Sequence, residues 1–465
     1  MEKNKNLHLL WRSGFGPDLS DIRDVDELTT QQLWKKIKDN ASATLPVISP
    51  SSSFVRDNYD NTGRSELSKE QKEEWNRKIR QQSNKDIKEL NNRWIQSMIN
   101  NDNQLGEKMS FFWHNHFAIR QNNSLLQEDA FQTIRKHSVG NFADLLREVS
   151  KSGAMVLSLN NQQNRKRSPN ENFAREIMEL FTMGVGNYTE KDVKEAARAF
   201  TGWGVNQAGQ FTFNAKVHDN GTKEILGRRG NFDGDDVIDI ILQQPQTSIF
   251  IVTKIYSYFV NETIDTDKVA ALAISFREDY NILRLLEVIF TSDWFYQPQN
   301  RSNRIKPPVE LLVGLQRFSP IMAMEEALQY RIQRLLGQAL FYPPSIAGWP
   351  SGKAWLDSNT LIVRLQLPQI IAGIATVQLQ AKSDDDLNMG LSNSDDLIRL
   401  QKRGKVTANT AWDSWLSQTS ETDITTTISL PNIDKQTLIL LQTKSRGDKN
   451  NYAHNLMNLP EYQLC

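Results

Sequence analysis

The sequence predicts a mainly α-helical protein, one large helical domain with a small β-hairpin insertion near 209–227. Three observations carry this. Apolar residues recur at three- and four-residue spacing through most of the 465 positions. Strict alternation is confined to 209–227. No clear linker and no repeat at a solenoid period interrupts the helical pattern, which outweighs the length prior of roughly three domains.

Taken in order, 44–68 is rich in serine, proline and asparagine and reads as a loose loop. Over 86–101, Ile87, Leu90, Trp94, Ile95 and Met98 form one stripe; Leu105, Met109, Phe112, Trp113 and Phe117 form another over 105–118. Helices follow at 127–138 and 141–151, the second with Leu145, Leu146 and Val149 inward. NNQQNRKRSPN at 160–170 is a loop with a short basic triplet. Helices are expected at 171–183, ended by Gly184 and Gly186, and at 190–200, begun by a Thr189/Asp192 capping box. GQFTFN and TKEILG supply the two strands, with HDNG as the turn between them. Further helices fit 234–243, 247–260, 266–278, 281–291, 307–318, 324–340 and 358–376, with Pro307 and Pro308 in the first turn of theirs. The helical body thus runs over 1–376, with a polar, weakly patterned segment at 380–430. Helices near 433–445 and 451–463 lie within a C-terminal part (431–465) that packs back on the body, because Leu438, Ile439, Leu440 and Leu441 need cover.

Composition excludes several functions. Lysine plus arginine equals aspartate plus glutamate at 55 each, so no global basic field would hold nucleic acid. No run of 18 apolar residues occurs, so no membrane span is expected. The start is charged and lacks an apolar signal core and a cleavage site. The chain as written is therefore expected in the cytoplasm, or outside it if a leader has been removed. A single Cys465 excludes an internal disulfide framework and a thiolate-cluster metal site.

Five words are chemically dense: FFWHNHF (111–117), NENFAREIMELFTMG (170–184), EAARAFTGWGV (195–205), HDNGTKEILG (218–227) and YPPSIAGWPSGKAW (342–355). Together with HLLWRSGFGP (8–17), IKPPVELLVGLQR (305–317) and LMNLPEYQLC (456–465), they resemble the domain-of-unknown-function 1800 family over nearly the whole chain. The resemblance implies a predominantly helical bacterial protein whose gene often neighbours one for a sulfatase-like partner protein. It implies no particular activity. The chain departs from it in showing no export signal, which many members carry, and in the region 44–68.

His114 and His116 would share a face in a strand, but lie about 200° apart on a helix, so a metal would need other ligands there. His114 shares a helix face with Glu107; His116 shares one with Met109, Phe112 and Trp113, the setting of a buried imidazole. The blander reading is a core histidine, the sharper one a ligand or acid/base. Glu171, Arg175, Glu176 and Glu179 form one side of an amphipathic helix. They are either a solvated salt-bridged face, or a cleft wall in which Arg175 keeps one carboxylate ionised and Glu176 is pushed toward neutrality. His218, Asp219 and Lys223 cluster on the hairpin, where turn chemistry explains Asp219 and Gly221, and anion or metal binding would explain the rest. Asp233 reads as a helix cap. The 342–355 segment, stiffened by prolines, presents Trp349, Lys353 and Trp355; its GWPSGKA lacks a phosphate loop's spacing. The tryptophans here, and Trp203, either stack on sugar rings or pack as core. No G-x-S-x-G, H-E-x-x-H or C-x-x-C occurs.

Two classes of function follow. In the first, a hydrolytic enzyme gathers His114, His116, Glu171, Arg175, Glu176, His218, Asp219 and Lys223 in one cleft. Glu176 is its acid/base and Arg175 its anion clamp. His114, His116, His218 and Asp219 hold a divalent metal or carry protons, and a glycan-type or sulfated substrate lies on the tryptophans. In the second, a non-catalytic binding protein works with the sulfatase-like partner, and the same words are helical core plus a recognition loop. One concave pocket would favour the first, scatter the second.

Overall fold

The computed structural model of the chain describes residues 2–59, 67–318, 326–371, 410–428 and 433–465. Helix makes up 67% of it. The first helices, α1 (Glu2–Ser13), α2 (Asp21–Glu27) and α3 (Thr30–Ala41), pack on one another. Helix α4 (Ser53–Tyr59) lies within the expected loop at 44–68, of which 60–66 fall outside the described residues. Then come α5 (Lys69–Asn100), α6 (Gln104–Phe117), α7 (Ser124–His137), α8 (Phe142–Ser150) and α9 (Gly153–Ser158). Helix α10 (Asn172–Met178) runs on into a π turn at Glu179–Met183, ended by Gly184 at φ 78°. Helix α11 (Glu190–Ala199) begins at the Thr189/Asp192 capping box.

Helix α5 starts well before its apolar stripe. Ile87, Leu90, Trp94, Ile95 and Met98 are buried, but the first half is mostly polar, its apolar side reduced to Trp75, which meets the Phe54 ring at 6.1 Å, and Ile79. That half is carried by a Ser68/Gln71 capping box and by strong helix formers (Lys, Glu, Gln and Arg).

The strand content is divided between two ribbons. Strand β1 (Trp203–Val205) pairs antiparallel with β2 (Phe211–Phe213), and β3 (Lys223–Ile225) with β4 (Arg228–Gly230). FTF and KEI therefore each pair with a nearer partner instead of with each other, and HDNG links two ribbons. Nearest-neighbour pairing closes the shorter loop, and Gly227 at φ 78° supplies the tight turn of the second.

Helices α12 (Gly234–Leu242), α13 (Pro245–Phe259), α14 (Thr266–Asp279) and α15 (Ile282–Thr291) complete the larger apolar core with α1, α3 and α6–α11. A second core joins α16 (Pro308–Phe318), α17 (Glu326–Leu335), α18 (Ser358–Ile371), α19 (Thr410–Gln418), α20 (Glu421–Ile428), α21 (Lys435–Ser445) and α22 (Lys449–Met457) to Trp11 of α1. A third sets α5 against Phe15, Phe111, Val309 and Phe341. Helix α6 touches two cores at once, with Phe112 and Trp113 in the first and Phe111 in the third.

Leu441 is buried and Leu438 packs beside it, whereas Ile439 and Leu440 are 62% and 52% exposed. Four consecutive residues at 100° apart cannot all face one core, so the cover expected for this run reaches only half of it. Of the polar segment 380–430, the described part forms α19 and α20; 380–409 and 429–430 fall outside the described residues.

Candidate functional site

Where α6, α13, residues 304–307 and the 347–355 loop meet, they enclose a cleft of about 240 Å³. Its α6 wall carries Phe112, Asn115 and His116; its α13 wall carries Lys254, Ser257 and Tyr258.

His116 is fixed by both ring nitrogens. Nε2–H donates to the carbonyl of Phe181 at 3.1 Å, which leaves Nδ1 to accept from Lys254 Nζ at 3.2 Å. Phe112, one turn earlier, lies parallel to the ring at 6.3 Å. Burial, reinforced by the Lys254 charge, holds His116 well below the usual histidine range, so the ring is neutral. Lys254 also donates to the carbonyl of Leu180 at 3.3 Å and lies 4.7 Å from the Phe250 ring centre. Burial alone lowers its ammonium to about 8. No carboxylate pairs with it among the described residues, and both its hydrogen-bond acceptors are neutral. Those acceptors depend on the π turn. Leu180 and Phe181 belong to the last turn of a helix, whose carbonyls have no partner within it.

The loop word forms the opposing wall. Asn115 Oδ1 accepts the backbone N–H of Trp349 at 2.7 Å, and Gly348, at φ 85°, lies directly on Asn115. Trp349 and Trp355 are buried and line the cleft. Gly352 rests on the carboxylate of Glu262, the exposed acid at the rim; a Cβ at 352 would stand 2.5 Å from Oε2. Lys353 points away to solvent and is not a wall residue.

The floor is ionic. Glu310, fully buried, accepts from Arg304 Nη2 at 2.6 and 2.7 Å and faces Lys108 Nζ at 2.8 Å. Burial opposes its ionisation, but Arg304 and Lys108 outweigh that and hold it at about 2. The Arg304 guanidinium lies 4.7 Å over the Tyr258 ring. Behind it, Lys306 Nζ is held between the rings of Trp11 and Tyr462 at 3.5 and 3.9 Å, and burial lowers it to about 7.

Of the residues singled out in the sequence, the cleft brings together His116, Trp349 and Trp355. His114 turns to the other side of α6. Its Nε2 accepts the N–H of Phe341 at 3.2 Å, Trp94 and Phe341 meet it edge-on at 5.1 and 5.0 Å, and burial lowers it to about 3. This is a core histidine. Arg175 joins Glu171 at 3.1 Å and Glu190 at 2.7 Å on a partly exposed face, and Glu176, raised by burial and then by Glu179, lies beside them. None of the four is a wall of the cleft.

His218, Asp219 and Lys223 form a separate knot. His218 Nδ1–H donates to the carbonyl of Thr201 at 2.8 Å, and Asp219 accepts from Arg198 Nε at 2.7 Å. Lys223 is buried, its Nζ donating to the carbonyls of Asp219 at 2.5 Å and Gly221 at 3.1 Å. Trp203 is core, packed edge-on to Phe200 and Phe211. Among the described residues, no three His, Cys, Asp or Glu side chains come together as a metal-holding set. The expected quartet of His114, His116, His218 and Asp219 is thus spread over three environments.

Sequence reasoning passed over Asn115, Lys254, Tyr258, Glu262 and Arg304. Lys254 left one signal: it is the lone charge in SIFIVTKIYSYF, with Phe250 and Tyr258 rather than a carboxylate one turn away.

The residues that line the cleft and its floor fall within the span of one family model, Protein of unknown function (DUF1800), matched over residues 8–464. The chain belongs to that family. The match joins the words at 111–117, 305–317 and 342–355, which form the cleft, to those at 170–184 and 218–227, which lie beside and apart from it. No curated protein and no solved structure matches the chain. Among the described residues, no helix is long and apolar enough to cross a membrane.

Proposed function

We propose that the cleft is the active site of a hydrolase-type enzyme acting on a small glycan-type substrate. The observation that carries this is Lys254, an amine in the cleft wall with only neutral acceptors and a pKa lowered by burial to about 8. Such a group is mostly protonated at neutral pH yet close enough to its own titration to release the proton. In this reading Lys254 gives a proton to the leaving oxygen as the bond to the substrate breaks. Water attacks, and Glu262 at the rim takes the proton that water gives up. His116 holds Lys254 in place, and Tyr258, Trp349 and Trp355 supply ring faces to the substrate.

A divalent metal is not part of this reading. Both nitrogens of His116 are engaged, and a metal would have to displace Lys254 or the Phe181 carbonyl. Glu176 and Arg175 give up the roles the sequence suggested, because they lie outside the cleft.

Chromogenic glycosides and sulfate esters offered to the purified protein test the proposal. Turnover should be abolished in Lys254→Met and in Glu262→Gln while the circular dichroism of both matches the parent. Turnover unchanged in both variants would refute it. A second reading, a non-catalytic partner of a sulfatase-like protein, is favoured by the Glu171–Arg175–Glu190 face and the His218–Asp219–Lys223 knot lying off the cleft. Ligand binding without turnover of any probe would support that reading.

A further inference from the structure

We infer that the ligand of this cleft carries an oxyanion (a sulfate, phosphate or carboxylate group) seated against Lys254, with Arg304 as a second positive wall. The inference rests on the reading of the cleft as the site, but not on any reaction there.

Charge in the cleft is one-sided. Among the described residues Lys254 has no counter-ion; its two acceptors are an imidazole nitrogen and a carbonyl. Tyr258, one turn further along α13, separates it from Arg304, whose guanidinium lies over the same ring. Phe112 packs on Tyr258 at 5.2 Å and lies parallel to His116, so an unbroken aromatic wall runs between the two cations. Arg304 is nearly fully buried and spends Nη2 on both oxygens of Glu310; among the described residues neither its Nε nor the hydroxyl of Tyr258 has a hydrogen-bond partner.

The ground behind the cleft has the same sign. Arg12, Lys108, Lys306 and Arg364 are buried there with Arg304. The carboxylates that act on them from nearby are few, chiefly Glu310, with Glu262 reaching Arg12. Positive potential in a low-dielectric surround therefore reaches the cleft with little cancellation. Among the described residues Glu262 is the one carboxylate in the walls, and it stands exposed at the rim. It would repel an anion from the mouth. The polarity predicted for the ligand is an anionic end at Lys254 and a neutral, ring-bearing end under Trp349 and Trp355.

The test is a tryptophan-fluorescence titration of the whole chain at neutral pH with sodium sulfate, sodium phosphate and sodium acetate, ionic strength held constant with sodium chloride. Saturable binding of at least one oxyanion is expected. It should weaken about tenfold or more, some 1.4 kcal/mol, in Lys254→Met and survive in Lys254→Arg, which keeps the charge. The most tightly bound of the three salts identifies the group. No saturation with any salt up to about 50 mM, or equal binding by the parent and a folded Lys254→Met, would overturn the inference. If Lys254→Met does not fold, the parent and Lys254→Arg decide: binding by both supports the inference, and failure of both to bind any of the three overturns it. Oxyanion binding without turnover of any probe would leave this inference standing and remove the proposed reaction. Turnover of a neutral glycoside without oxyanion binding would do the reverse.

Discussion

The side-chain oxygen of Asn115 accepts the backbone N–H of Trp349 at 2.7 Å across 234 residues of sequence. This single bond ties the 342–355 loop to α6 and so fixes the distance between two walls of the cleft. Asn115→Ala would leave a part-buried N–H unmatched, at about 1–3 kcal/mol. Urea unfolding should show that loss, and tryptophan emission should shift red as the loop loosens. Asn115→Asp keeps the acceptor and should lose less.

Gly348 and Gly186 provide a matched pair, at φ 85° and 84°. An added methyl at 186 meets nothing within 4 Å, whereas at 348 it overlaps both the side-chain and the backbone oxygen of Asn115. Gly186→Ala should cost about 1 kcal/mol, the conformational penalty alone. Gly348→Ala should cost about 1–3 kcal/mol more and open the cleft. Equal melting temperatures for the two variants would contradict this.

His114 titrates at about 3 in the fold against 6.5 for an ordinary histidine. The unfolded chain therefore binds this proton first as pH falls. The stability that the neutral ring contributes is complete above 6.5 and drains away on going down toward 3, by about 1.4 kcal/mol per pH unit. His114→Gln, which keeps an acceptor for the Phe341 N–H, should flatten the dependence of the urea midpoint on pH between 6.5 and 4.

Lys223 is a structural cation. Lys223→Met leaves the carbonyls of Asp219 and Gly221 without their donor and should cost about 1–3 kcal/mol. Binding or turnover in the cleft should be unaltered at temperatures where the variant is folded, because no atom of Lys223 lines it.

The helices were legible because their signals are local. Ile87 to Met98 forms a stripe, Thr189 and Asp192 a cap, and Pro308 a first turn, each set by residues within a few positions of one another. The start of α5 was not, since Lys69–Gln82 offers only Trp75 and Ile79, one turn apart, too few to mark a stripe. The ribbons were half legible: alternation marked the strands, but the choice of partner is a matter of loop closure that alternation does not encode. The site was legible where a word folds onto itself or its neighbour. His116 with Phe112, and Trp349 with Trp355, could be read this way. Lys254, Glu262 and Arg304 could not, because each acquires its role from segments far along the chain. The His218–Asp219–Lys223 word can be read two ways for a physical reason. The residue types that make a metal or anion site also make a well-satisfied turn, and only the third dimension shows that Lys223 Nζ is already spent on two carbonyls.

Arg12 donates to the carbonyl of Asn300, 288 residues away, and Arg317 reaches back to the carbonyl of Gly16 across 301. Helix α1 is thus held by partners made long after it. At about 5–20 residues per second of synthesis, it waits some 15–60 s for them with Trp11 and Arg12 still in water. Closure of the chain is a late event with a high entropic threshold, and the cleft, built from both sides of that closure, comes into being only with it. The expected consequence is slow refolding in which oxyanion binding appears with the final kinetic phase, after most of the helical signal has returned.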